Sequence, residues 1–174
     1  MTILVSESIE NKGLITPFLD EKHTFNHPGY EPVFKDGSEP FTLSYGASYA
    51  GYDIRMSLRE SIGESEWGLE AVRLMPQQFR LVHSIEHFNM TDDVLGKVAD
   101  KSTLARKGLA VQNTIIEPGW RGYLTLEITN HGDEVIELHH DMPIAQIIFF
   151  NLEKSVDGYK GKYQNQENRP VGAR

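Results

Sequence analysis

The sequence predicts a mainly β protein, a sandwich or barrel with one or two short helices, and three observations lead there. Turn-forming residues recur at intervals suited to short strands, apolar residues alternate between the turns, and helical signals are confined to two brief segments. The length of 174 residues, with 39% hydrophobic and 24% charged, is that of one globular domain.

In chain order, Ser6–Asn11 suits a short helix ended by Gly13. Turns are then expected at His27-Pro28-Gly29, Lys35-Asp36-Gly37-Ser38, Pro118-Gly119, Asn130-His131-Gly132-Asp133 and Asp157-Gly158. Between them, strands are expected at Gly46–Ser57, Trp67–Leu74, Gln78–Phe88, Val94–Val98, Tyr123–Thr129, Val135–Leu138 and Pro143–Phe150. Alternation is plainest in two of these. Phe79, Leu81, His83, Ile85 and His87 share one face, and Leu124, Leu126 and Ile128 oppose Tyr123, Thr125 and Glu127. Ser102–Lys107 is the second helix, with a small polar N-cap ahead of Leu-Ala-Arg-Lys, and its start aims backbone donors at whatever lies before it.

Charge and composition narrow the functions. A net charge of −8 repels nucleic-acid polymers, whose binding needs a basic face, although basic residues do cluster at Lys101–Lys107 and Lys160–Lys162, where a small anion could be held. The chain has no cysteine, which removes disulfides, thiolate nucleophiles and Cys-rich zinc sites. Its longest apolar stretches, such as Ile147–Phe150, are too short to cross a bilayer, so a soluble, cytosolic protein is expected.

Four segments carry candidate chemistry. His83-Ser84-Ile85-Glu86-His87 fits the H-x-x-E-H pattern of a group of zinc proteases, but that chemistry needs a helix. Strand alternation puts Glu86 opposite both histidines, which argues against zinc. The run Asp100–Gly108 joins hydroxyls, basic side chains and a helix start, a set suited either to phosphate oxygens or to an ordinary capped helix with solvated charges. Glu127 sits on the polar face of a strand, where a carboxylate is either solvated or, given the right neighbours, a general base. The tail from Tyr159 is polar and aromatic with almost no aliphatic residues, hence either a disordered end or a flap that orders over a ligand.

Taken together, four ordered blocks resemble the dCTP deaminase family: Ser-Thr-Leu-Ala-Arg-Lys-Gly at 102–108, Glu-Pro-Gly-Trp-Arg-Gly-Tyr-Leu-Thr-Leu-Glu at 117–127, Met-Pro-Ile-Ala-Gln at 142–146, and Gly-Lys-Tyr-Gln-Asn-Gln at 161–166. Residues 48–55 and 88–98 are similar to the family's early strands, so the resemblance spans about Gly46 to Gln166. It implies a dUTPase-like fold, a homotrimer with active sites between subunits, and hydrolytic deamination of dCTP to dUTP and ammonia.

The resemblance also implies roles. Glu127 matches the catalytic carboxylate, with Ser102 and Arg106 nearest the chemistry. Lys101 and Thr103, in one substrate-binding segment with Leu104 and Ala105, match the part that holds the triphosphate. Gln146, Tyr159, Lys162 and Gln166 match residues that grip the phosphates, the last three from a C-terminal flap, 159–174, behind a single domain, 1–158. Thr125 and Leu126 fall where strand backbone lines the nucleotide.

Two departures stand out. Between Arg106 and Glu117 the chain is shorter than the family's best-known bacterial members, in the base-reading hairpin near Asn113 to Ile116, and Glu117, near the sugar, stands where Asp is frequent.

Magnesium is expected to arrive with the triphosphate, with no zinc, and dTTP is the candidate feedback inhibitor. No nucleic-acid polymer and no membrane are expected as partners. Without cysteine the chain lacks the H-x-E and P-C-x-x-C apparatus of zinc deaminases, which leaves water activation to Glu127. The alternatives are a dUTPase, a deaminase that also cleaves the triphosphate, and a regulatory nucleotide-binding trimer. The Gly-rich C-terminal motif of dUTPases is absent, and intact Ser102, Arg106 and Glu127 argue for an enzyme.

Overall fold

A computed structural model describes residues 2–26, 42–62 and 65–174. The turns expected at His27–Gly29 and Lys35–Ser38 lie outside the described residues. The elements are β1 (Thr2–Ile3), α1 (Ser6–Asn11), β2 (Ile15–Thr16), β3 (Lys22–Thr24), β4 (Ser44–Ser48), β5 (Gly51–Ser57), β6 (Arg59–Ile62), β7 (Ser65–Gly68), β8 (Ala71–Leu74), β9 (Phe79–Asn89), β10 (Val94–Asp100), α2 (Ser102–Ala105), β11 (Leu109–Val111), β12 (Ile115–Ile116), β13 (Arg121–Asn130), β14 (Ile136–His139) and β15 (Pro143–Asn151). The mainly β reading with two short helices holds. Among the described residues no helix is long and apolar enough to cross a membrane.

Eleven strands form one sheet with the main order β11-β13-β9-β5-β15-β10-β12. Its two end strands, β11 and β12, are consecutive in sequence and joined only by Gln112, Asn113 and Thr114. The four Cα steps from Val111 to Ile115 span at most about 14 Å. The sheet therefore curls until its ends meet, leaving a seam along β13 and β12. Inside the curl, Tyr52, Ile54, Met56, Phe88, Leu126, Ile128 and Phe149 are fully buried. This is the inward half of the alternation on β5, β9, β13 and β15.

Strand β9 shows how alternation and partner choice interact. Its inward residues are Val82, Ser84, Glu86 and Phe88, and the odd-numbered set seen in the sequence faces outward except for His83, which is buried. Opposite β13 the register runs Tyr123↔His87 and then Thr125↔His83, so three residues of β9 face Leu124 alone. There β9 turns to pair with β5 at Met56↔Ser84. Ser84 holds the break, its hydroxyl accepting from the Leu124 N–H (2.9 Å) and donating to the Glu86 carbonyl (2.6 Å). Glu86, with no exposed surface, takes both the backbone N–H and the Nε of Arg55 at 2.9 Å. It lies opposite the two histidines as the strand reading required.

Four expectations are corrected. Gly46–Ser57 is a hairpin of β4 and β5 turning at Tyr49-Ala50, because a two-residue turn leaves the alternation unbroken and hides itself from a periodicity reading. Trp67–Leu74 is split between β7 and β8, whose partners are β6 and β14. The second helix is Ser102–Ala105 rather than Ser102–Lys107, its N-cap is Lys101, and no side chain caps it. Gly108 ends the segment at φ +88 with the Gly132 backbone so close that a Cβ would meet its N at 2.4 Å. Asp157-Gly158 is not a turn but lies in an irregular stretch, in which Gly158 packs on Gly119 and Asp92.

Candidate active site

A cavity of about 600 Å³ opens at the seam. Strand β13 contributes Leu124, Thr125 and Glu127, the β11–β12 link together with β12 and its C-terminal neighbour contributes Asn113 to Glu117, and the tail contributes Tyr159, Tyr163, Gln166, Val171 and Ala173. Thr125 and Glu127 are two residues apart and so share a face. Thr125 is buried while Glu127 is exposed, and the carboxylate has no hydrogen-bond partner among the described residues. A free carboxylate at the edge of an open cavity of mixed polar and apolar lining can take a proton from a water bound beside it. Phe79, Leu81 and Trp120 complete the walls, and these contributors were not singled out in the sequence because apolar lining looks like apolar core.

The tail is docked rather than loose. Gln166 makes a parallel bridge to Gly122, its carbonyl accepts from the Tyr123 N–H (3.1 Å), and its Oε1 accepts from the Thr125 hydroxyl (3.0 Å). Gly122 has φ +136, and a Cβ there would meet the Gln166 N at 2.5 Å, so the close approach depends on glycine. The Trp120 indole donates to the Tyr163 carbonyl (2.7 Å), and the Val171 N–H donates to the Thr125 hydroxyl (3.0 Å). Further along, His83 Nε2 meets Asn168 Oδ1 at 2.9 Å, and burial pushes the His83 imidazole down to about 4.

Of the residues singled out in the sequence, Asn113, Glu117, Thr125, Glu127, Tyr159 and Gln166 come together at this cavity. Leu104 and Leu126 are core residues, 2% and 0% exposed over the whole residue. Ser102 and Arg106, four residues apart on one face around α2, are exposed and line no part of the cavity in their own chain. Thr103 and Ala105 are half-buried on the same turn and also stand apart from it.

Lys101 and Gln146 form a separate polar cluster. The Lys101 ammonium is buried against Asp53 (2.9 Å), and Gln146 Nε2 reaches Asp53 (3.2 Å) and Ser48 (3.4 Å). Lys162 is exposed, its ammonium hydrogen-bonded to the Arg174 carbonyl and 5.1 Å from the Tyr163 ring. The cavity lining thus holds two carboxylates, Glu117 and Glu127, and among the described residues no Lys or Arg.

Residues 41–152 match the sequence profile of the dCTP deaminase-like family. The chain belongs to the dCTP deaminase-like family. It is 31% identical to a dCTP deaminase of Chlamydia abortus, over 91% of this chain and 90% of that protein. It is 34% identical to a dCTP deaminase of Acidobacterium capsulatum, over 79% and 91% respectively. In structure it resembles the 2'-deoxycytidine 5'-triphosphate deaminase of Agrobacterium tumefaciens with a TM-score of 0.56 at 17% identity, covering 84% of this chain and 48% of that one. That likeness speaks to the fold alone.

Proposed function

We propose that this protein is an enzyme that hydrolyses dCTP to dUTP and ammonia, with Glu127 as the proton shuttle. The observation that carries the reading is the Thr125–Glu127 face of β13 turned into the seam cavity, in a chain belonging to the dCTP deaminase-like family. Water adds to the ring carbon that bears the amine. Glu127 takes the proton released, delivers it to the adjacent ring nitrogen, and a second proton transfer lets the amine leave as ammonia. A nucleotide seated between the cavity walls and the docked tail would displace water from Glu127, which strengthens each hydrogen bond to the developing charge.

The triphosphate needs cations, and among the described residues no Lys or Arg of the same chain lines this cavity. An inter-subunit site answers that need. In a homotrimer the exposed Ser102 and Arg106 of one subunit can face the Glu127 of another, Arg106 meeting phosphate or the reacting water. Thr103 and Ala105, both half-buried, would follow on the same segment. Tyr159, Lys162 and Gln166 would grip the nucleotide from the flap, and Glu117 would face the sugar.

Among the described residues no group of three or more His, Asp or Glu is placed to hold a metal ion. Magnesium is assigned to the triphosphate oxygens as part of the substrate. The enzyme would serve nucleotide supply in the cytosol, with dTTP as its feedback inhibitor.

The test is incubation with dCTP, dCMP and dUTP, with and without Mg²⁺, followed by separation of triphosphates from monophosphates. The reading predicts dUTP from dCTP. Formation of dUMP and pyrophosphate from dUTP would show a second, triphosphate-cleaving activity, and no reaction with dCTP would overturn the proposal.

A further inference from the structure

Asn113 lies in the three-residue link that joins the two ends of the curled sheet, and its side chain does what a strand would otherwise do. Strand β11 pairs with β13 through Val111↔Ile128, and the Gln112 N–H continues the ladder to the Glu127 carbonyl at 2.8 Å. At Asn113 the main chain leaves to form the cavity wall and reach β10, where Ile115 and Ile116 pair with Lys97 and Gly96. A backbone that turned away would leave the next donor and acceptor of β13 without partners. The Asn113 amide fills both places, Oδ1 accepting from the Glu127 N–H (3.1 Å) and Nδ2 donating to the Thr125 carbonyl (2.7 Å). The orientation of the amide follows from these partners, since a flip would set donor against donor and acceptor against acceptor.

We infer that Asn113 is a positioning residue for Glu127: its amide replaces two strand hydrogen bonds at the seam and so fixes the backbone that carries the carboxylate, rather than reading the base. The inference rests on the deaminase reading for its effect on rate. One Nδ2 hydrogen and the Oδ1 are both taken by β13, on the two residues that face the cavity, and the amide is half-buried. Removing it frees the peptide units on either side of Leu126 just where the aim of Glu127 is set. A displacement of about 1 Å at a reacting group can cost on the order of 100-fold in rate.

The experiment uses the full chain with Asn113→Ala and the isosteric Asn113→Asp, reading hydrogen exchange at the Glu127 amide without nucleotide and kcat and KM for dCTP across pH. In Asn113→Ala, exchange at Glu127 is expected to quicken, with kcat falling roughly 10- to 100-fold and KM staying within about threefold. In Asn113→Asp, a carboxylate repels the Thr125 carbonyl, but the protonated acid restores a donor and an acceptor. Its activity relative to wild type should therefore recover as pH falls below about 5, into the carboxyl range. A rise in KM with kcat unchanged would make Asn113 a substrate contact and overturn the inference, as would unchanged exchange at Glu127 or a flat activity ratio across pH. If the wild type fails to deaminate dCTP while exchange at Glu127 still responds, the deaminase reading fails and the brace on β13 stands.

Discussion

Glu86 and His83 sit three residues apart on β9, both buried, and they tie the core to the site in different ways. Glu86 holds Arg55 with both carboxylate oxygens, and the guanidinium lies 4.9 Å from the Tyr45 ring. Glu86→Ala leaves the half-buried guanidinium with the half-exposed Asp141 at 3.6 Å as its carboxylate partner, and is expected to cost about 3 kcal/mol in urea unfolding, the lower end of the range for breaking a buried pair. A loss well under about 1 kcal/mol, the scale of an exposed pair, would show that the pair is solvated. His83 is held neutral by burial, its imidazole at about 4, below its ordinary value of 6.5. Because the folded state disfavours the proton, stability from this residue is present above about pH 6.5 and is lost as pH falls toward about 4. His83→Gln can keep a bond to Asn168 without titrating, so it should lose less stability than wild type between pH 7 and pH 5. Equal losses would contradict the assignment.

At the scale of elements, the tail and β13 act together. Gly122→Ala puts a Cβ into the Gln166 backbone without altering any cavity-lining side chain. It should undock the tail and raise KM for dCTP at least about tenfold, the loss expected when two hydrogen bonds of about 1 kcal/mol each no longer hold the flap. An unchanged KM would make the tail dispensable. The long strands β9, β13 and β15 were legible because burial concentrates on one face of each. The Tyr49-Ala50 turn was not, since the pattern runs straight through it, and neither was the early end of α2 at Ala105, after which the chain turns through Gly108 against the Gly132 backbone. At the site, Glu127, Thr125 and Gln166 were legible through the family blocks. The bracing by Asn113 was not, because a side chain standing in for a backbone leaves no periodic trace.

At the scale of the whole molecule, the cavity holds two carboxylates and, among the described residues, no Lys or Arg, and the proposed inter-subunit site predicts a trimer in sedimentation. If each site takes Glu127 from one subunit and Arg106 from another, random mixing of inactive Glu127→Gln and Arg106→Ala chains restores about a quarter of the sites, one half times one half. No recovery after subunit exchange would place both residues in one chain. The central claim, that Glu127 moves the proton in dCTP deamination, is tested most directly by Glu127→Gln, which keeps the shape of the side chain and removes the base. Measured after zinc chelation, with ammonia and dUTP both quantified, wild type should yield equal amounts of the two. The variant should turn over roughly 100- to 10,000-fold more slowly while dCTP still raises its melting temperature. Retention of more than about a tenth of wild-type turnover, outside that range, or loss of wild-type activity that only zinc restores, would contradict the account.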